Sequence, residues 1–378
     1  MKALIAAYAR TPFHFAKKGA LASTRPESLA AQAMAGVLAK AAIDPDLLED
    51  VIMGCAYPEG SQGNNIARIA SFLAGLPQKV GGMTLNRFCG SSMSAVHMAA
   101  AQIEAGIGEA YLCVGVESMT QVPQGGLHFD PNPELMARYP EAYMSMGQTA
   151  ENVAAQWGIS RADQDALALE SHQKAAAAQK AGLLADEIIP TTTPEGLLVD
   201  SDGCIRPGTS LQALSGLKPA FRPDGVVTAG TSSPLTDGAA AVLVVHEDFA
   251  ERHGLNALAR IETYATYGVD PSLMGIGPIP ATRRALERAG LTSRDLNVVE
   301  INEAFSTQAL ACIRDLGLNP ATVNIDGGAL ALGHPLGATG ARITGKAAAL
   351  LKRVGGRYAL ATQCIGGGQG IATVLSAL

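Results

Sequence analysis

Two cysteines and one histidine sit in turns where their chemistry could be used. Cys89 stands in Leu85-Asn86-Arg87-Phe88-Cys89-Gly90-Ser91, where a short strand over residues 80–85 runs into a helix that starts at Ser91 and closes at Gly106. Gly90 and the serines after it suit a tight turn and a helix cap. A thiol at a helix N-terminus meets unpaired N–H groups, which favour the thiolate and bring its pKa from about 8.5 to roughly 3.5–7.5. A sulfur nucleophile also needs a base within hydrogen-bond reach. Of the seven histidines, only His334 lies in a glycine-rich turn ahead of a proline, Gly333-His334-Pro335-Leu336-Gly337. His14, His97, His128, His172, His246 and His253 read as packed or solvated side chains. Cys364 is followed, after Ile365, by Gly366-Gly367-Gly368. Backbone N–H groups in such a run can approach a ligand closely, as an oxyanion requires.

Presenting these turns takes a chain that alternates strands and helices. Strands are expected over residues 2–8, 48–53 and 109–116, with helices over 28–41, 64–73 and from Ser91 onward. The helix after Cys89 is apolar almost all round and should lie centrally. Residues 119–235 are more polar, with Pro131, Pro133 and Pro140 in loops and helices over 149–157 and 161–180, and read as an insertion. Buried strand texture returns at residues 237–245. From residue 257 the first pattern recurs: strands over 260–264 and 296–301, helices over 280–289 and 304–315, a helix from the His334 turn to 351, and a strand over 357–362. Gly90 pairs with Gly337 (337 − 90 = 247) and Tyr111 with Tyr358 (358 − 111 = 247), with no gap between them. Two duplicated halves account for this, residues 1–118 plus 236–256 and residues 257–378, around an insertion over 119–235. In open α/β sheets ligands gather at strand ends, so Cys89, Asn302, His334 and Cys364 could meet at one seam.

Bulk composition narrows the chemistry. A net charge of −6 without a basic stripe argues against nucleic-acid binding. The six cysteines include no CxxC pair, which removes the case for zinc or thioredoxin-type exchange, and their scatter suits a reducing compartment. No apolar run is long enough to span a bilayer, and the N-terminal one is too short for a signal peptide. The expectation is a soluble cytoplasmic protein with no bound metal.

Taken together, Asn86-Arg87-Phe88-Cys89-Gly90-Ser91, Asn302-Glu303-Ala304-Phe305, Gly333-His334-Pro335-Leu336-Gly337 and Cys364-Ile365-Gly366-Gly367-Gly368-Gln369-Gly370 resemble the signatures of the thiolase family. Thr228-Ala229-Gly230-Thr231-Ser232-Ser233-Pro234 in the insertion is similar too, so the resemblance spans nearly the whole chain in order. Its texture is nearest to the degradative 3-ketoacyl-CoA branch. The resemblance implies an α/β fold, a five-layer αβαβα core of two halves with an inserted loop domain over the coenzyme A site. It implies Cys89 as the acylated nucleophile, His334 as its activator and Cys364 as a second acid/base. Asn302 would hold a water that completes one oxyanion hole with His334, and the N–H groups of Cys89 and Gly366 would form the other. Ser233, Lys218 and Met146 would line the substrate and coenzyme A. No cofactor is bound permanently, coenzyme A and 3-ketoacyl-CoA being substrates. A homodimer or homotetramer is implied, with a hydratase/dehydrogenase subunit of β-oxidation as a further partner.

Rival readings differ at single residues. A decarboxylating ketoacyl synthase uses one cysteine and two histidines, whereas the third position here is Cys364. A non-catalytic lipid or coenzyme A binder would be expected to lose Cys89, His334 or Cys364, and all are present. A biosynthetic acetoacetyl-CoA thiolase is the nearest alternative. Such enzymes tend to carry His-Met-Gly where this chain has Ser145-Met146-Gly147, so a smaller side chain at Ser145 is expected to leave room for longer acyl chains.

Overall fold

The computed structural model describes residues 1–378. The first half supplies β1 (Ala3–Arg10), β2 (His14–Phe15), α1 (Pro26–Ala41), β3 (Asp50–Gly54), α2 (Ile66–Leu73), β4 (Met83–Leu85), α3 (Ser91–Glu104) and β5 (Ala110–Ser118). Residues 119–235 hold α4 (Pro133–Arg138), α5 (Met146–Trp157), α6 (Arg161–Lys180), the small pair β6 (Thr191–Thr192) and β7 (Leu198–Val199), and α7 (Leu211–Ser215). Then follow β8 (Thr236–His246), α8 (Glu247–Arg252), β9 (Ala259–Gly268), α9 (Pro278–Ala289) and β10 (Val298–Ile301). The chain ends with α10 (Ser306–Leu316), α11 (Ala329–Leu332), α12 (Leu336–Val354), β11 (Tyr358–Ile365) and β12 (Gln369–Ser376).

The strands form two half-sheets, β1-β8-β5-β3-β4 and β9-β12-β11-β10, joined edge to edge by the short β1–β9 pairing of Leu4 with Arg260 and Ile5 with Ala259. Their side chains alternate with period two, and in β1, β3, β5, β8, β10, β11 and β12 both faces are buried, which is why these strands read as near-continuous apolar runs. Leu112, Val114 and Val116 of β5 face α1 and α2, while Tyr111 and Cys113 face the centre. In the second half Val299, Ile301 and Leu360 face α9 and α10, while Val298, Ala359 and Ala361 face the centre. α3 and α12 fill that centre, so the layers run αβαβα. The two helices touch backbone to backbone: a methyl group on Gly340 would fall 2.3 Å from the Met93 amide nitrogen. The 247-residue offset carries over to the strands, placing β3 on 297–301 against the observed Val298–Ile301, and β5 on 357–365 against Tyr358–Ile365.

Several element bounds differ from the sequence reading by a few residues, three of them next to the expected site or with a clear backbone cause. The strand before Cys89 is only Met83–Leu85, because Gly81 and Gly82 precede it. Helix α2 starts at Ile66, since Asn64 and Asn65 both take left-handed backbone (φ 52° and 51°). Helix α12 starts at Leu336, with Pro335 as its cap rather than its first residue.

A buried ion network ties the insertion to both halves. Arg10, at the end of β1, donates to Glu187 (2.9 Å) and forks onto both oxygens of Asp202 (2.7 and 2.8 Å). Lys346 of α12 bridges the other Glu187 oxygen (2.9 Å) to Asp326 (2.7 Å). Burial alone would raise the Glu187 pKa, yet Lys346 and Arg10 hold it down to about 2. That contribution to stability is complete above the ordinary carboxylate range and is lost as pH falls through about 2. Arg10→Ala strands two buried carboxylates and is expected to cost roughly 3–5 kcal/mol. Urea unfolding, with earlier proteolysis inside residues 119–235, checks it.

Candidate active site

The turn that carries Cys89 is built by local bonds. Phe88 takes a left-handed conformation (φ 43°), its N–H held by Asn86 Oδ1 at 2.7 Å. Ser91 Oγ accepts from the Arg87 N–H (2.8 Å) and donates to the Phe88 carbonyl (2.6 Å). The serine thus locks the turn; Gly90 is the helix cap, and no side chain caps α3. A methyl group on Gly90 would fall 2.5 Å from Ile365 Cδ1, so glycine is what lets the Cys364 strand end come close. Gln363 secures that approach by donating to the Cys89 carbonyl at 2.5 Å.

Cys89 and Cys364, in different halves, are both fully buried. Met146, at the start of α5, packs against both of their apolar surroundings. The N–H groups of Gly366 and of Cys89 itself point at the Cys89 sulfur, two donors converging on one atom. His334 is held on three sides. Its N–H donates to Thr236 Oγ1 (3.1 Å), its Nδ1 lies 2.6 Å from Thr339 Oγ1, and its Nε2 lies 3.2 Å from Asn302 Nδ2. Thr339 donates onward to the Pro335 carbonyl (2.9 Å), so it accepts from Nδ1–H and leaves Nε2 as the basic nitrogen. Asn302 Oδ1 is buried with no protein partner.

Electrostatics correct one expectation. Burial pushes the Cys89 thiol up to about 12, although the Gly366 and Cys89 N–H groups pull the other way. Burial, with the Arg342 charge adding to it, pushes His334 down to about 3. Burial also lifts Cys364 well above the ordinary thiol range. The depressed pKa expected from the helix N-terminus is therefore outweighed by desolvation. At rest Cys89 is therefore a thiol and His334 a neutral imidazole.

The remaining expected residues fall unevenly. Ser233 is half-buried, its N–H bonded to the Ala304 carbonyl (3.0 Å), which places it beside the Asn302 loop. Lys218 is exposed just past α7, and no side-chain bond of its own fixes it. Ser145 is an exposed cap for α5, its Oγ accepting from the Gln148 N–H (3.4 Å), so its small size serves the helix end.

Sequence reasoning passed over Thr339, Gln363 and Glu117. The last was within reach of the repeat, since 364 − 247 = 117 makes it the counterpart of Cys364. Its buried carboxylate accepts from the Ala56 N–H, Gln62 Nε2 and the Gly337 N–H, each at 2.8 Å, which pins the start of α12 and hence the His334 loop.

Two half-sheets around a central helix pair, with a cysteine from each half at their seam, are the mark of one fold class. The Thiolase, N-terminal domain description matches residues 3–248 and the Thiolase, C-terminal domain description residues 255–377. The chain belongs to the thiolase family. It is 47% identical to a 3-ketoacyl-CoA thiolase of Shewanella denitrificans, over 99% of this chain and 98% of that one. It is equally identical, 47% over 94% of this chain and 95% of the relative, to the 3-oxoadipyl-CoA/3-oxo-5,6-dehydrosuberyl-CoA thiolase of Escherichia coli. The human mitochondrial 3-ketoacyl-CoA thiolase in complex with CoA superposes with a TM-score of 0.92 at 38% identity, covering 100% of this chain and 98% of that one.

Proposed function

We propose that the protein cleaves 3-ketoacyl-CoA with coenzyme A, giving acetyl-CoA and an acyl-CoA shortened by two carbons. The observation that carries this is the pairing of two buried cysteines from opposite halves, in a chain whose His334 keeps Nε2 unprotonated, accepting from Asn302. In this reading the Cys89 thiol passes its proton to His334 Nε2 and attacks the ketone carbon, with the N–H groups of Cys89 and Gly366 stabilising the oxyanion. The C2–C3 bond breaks, and the Cys364 thiol protonates the departing enolate to give acetyl-CoA, whose thioester oxygen lies toward His334 and Asn302. The Cys364 thiolate then deprotonates incoming coenzyme A, which takes the acyl group from Cys89. Ser233 and Lys218 lie along the coenzyme A, and Met146 borders the acyl group.

The relatives named as 3-ketoacyl-CoA thiolases support the degradative direction over the biosynthetic one. A second copy of the chain is proposed as partner. The sheet ends at β4 with its outer edge unpaired, and Ile69, Phe72 and Leu73 of the adjacent α2 are exposed. No helix is long and apolar enough to cross a membrane, which fits the proposed cytoplasmic location.

Coenzyme A-dependent loss of the magnesium-enolate absorbance of acetoacetyl-CoA tests the reaction, and a series of longer 3-ketoacyl-CoA substrates tests the direction. Each added methylene should contribute up to about 0.8 kcal/mol until the pocket is filled, so kcat/KM is expected to rise beyond four carbons. A sharp peak at acetoacetyl-CoA with collapse by six carbons would instead favour the biosynthetic alternative.

A further inference from the structure

The two N–H groups that point at the Cys89 sulfur come from opposite halves, one from Cys89 itself and one from Gly366. A single hydrogen bond joins residues 85–91 to residues 357–376: Gln363 Nε2 donates to the Cys89 carbonyl at 2.5 Å. That carbonyl lies just outside the α3 ladder, which begins at the Gly90 carbonyl, taken by the Ser94 N–H (2.9 Å). No backbone N–H reaches it. On its other side Cys89 follows Phe88, whose N–H is held by Asn86. Cys89 is therefore bracketed by two side-chain amides, one local and one from the far half.

Gln363 is otherwise ill-suited to its place. It is fully buried on the centre-facing side of β11, in line with Ala359, Ala361 and Ile365 of the central apolar core. Its Oε1 has no partner. A buried amide with an unmet acceptor is less stable there than an aliphatic side chain of the same length, so its donor accounts for an amide at this position. Side chains alternate along β11, so Gln363 and Cys364 point to opposite faces, and Cys364 packs with Met274, Ala304 and Phe305. Three residues past Gln363, the same strand end delivers the Gly366 N–H.

We infer that Gln363 is a positioning residue for the oxyanion hole at Cys89: by holding the Cys89 peptide against β11, it aims the Cys89 and Gly366 N–H groups at one oxygen. This rests on the thiolysis reading above and adds a residue to its site. The oxyanion is absent from the bound ground state, so a slack clamp lowers rate rather than binding.

The test separates two steps with acetyl-CoA as the probe. Gln363→Met keeps the chain length and removes the donor, Gln363→Leu removes it with a different shape, and circular dichroism checks that both fold. Rapid-quench mass spectrometry is expected to show Cys89 acetylated about 30-fold more slowly in both variants, with the half-saturating acetyl-CoA concentration within about threefold of wild type. Exchange of the acetyl methyl hydrogens with deuterated water, followed once acetylation is complete, relies on Cys364 and is expected to stay within about threefold of wild type. Acetylation within about threefold of the wild-type rate in either folded variant overturns the inference. So does an effect confined to the half-saturating concentration, or a loss of exchange that parallels the loss of acetylation, since either makes Gln363 a packing residue. A wild type that never acetylates Cys89 overturns the thiolysis reading itself.

Discussion

Inactivation at Cys89 by iodoacetamide is expected to accelerate about tenfold for each pH unit between roughly 6 and 9, without a plateau. Only the thiolate is alkylated, and burial holds this thiol near 12, so its ionised fraction keeps growing across the whole range. His334 does not offset this in the resting state, because its pKa near 3 leaves it neutral and unable to hold a thiolate as an ion-pair partner. Peptide mass spectrometry identifies the labelled residue, and acetyl-CoA is expected to protect it by acylating the same sulfur. A rate that levels off by pH 7 would mean a preformed thiolate, and would show that the helix N-terminus prevails over desolvation after all. Mass-spectrometric acetylation of another cysteine would remove Cys89 from the nucleophile's role.

Much of this fold was readable from local pattern because both halves repeat it. The 247-residue offset placed β10 and β11 from their first-half counterparts to within about a residue. Apolar runs identified strands buried on both faces, and Ser160 and Gly182 bounded α6 correctly. Cys89, His334, Cys364 and Asn302 were legible because their turns carry glycine, proline or short polar residues at fixed places. What escaped depends on contacts that sequence spacing does not encode. The sign of the Cys89 shift is set by how completely the seam closes over it, and a helix-cap argument contains no such quantity. Arg10 finds Glu187 and Asp202 at separations of 177 and 192 residues, for which no spacing rule exists. Ser145 caps α5, which its residue type and its place ahead of a helix also signal. Thr339, five residues past His334, fixes the ring only because the turn at Pro335 folds α12 back under it.

Cys364→Ala is expected to lower turnover at least about 10²-fold while acylation of Cys89 by acetyl-CoA remains detectable. The two sulfurs have different surroundings and, in the proposed mechanism, different tasks. Cys89 has two N–H donors aimed at it, which suits a sulfur that passes through bonding to an oxyanion-bearing carbon. Cys364 is packed against Met274, Phe305 and Ala304, and its pKa is lifted by burial and by the neighbouring Cys89 and Cys312. A thiol of raised pKa is a poor resting nucleophile, but it has a proton to give to an enolate, and the thiolate it becomes is a strong base toward coenzyme A. Alanine removes that proton carrier and leaves Cys89, its donors and His334 in place, so transfer from acetyl-CoA to Cys89, which needs no carbon acid, survives. Exchange of the acetyl methyl hydrogens with deuterated water isolates the missing step and is expected to disappear in Cys364→Ala. Normal turnover in the variant would make Cys364 a packing residue and would require the carbon-acid step to be reassigned to another group.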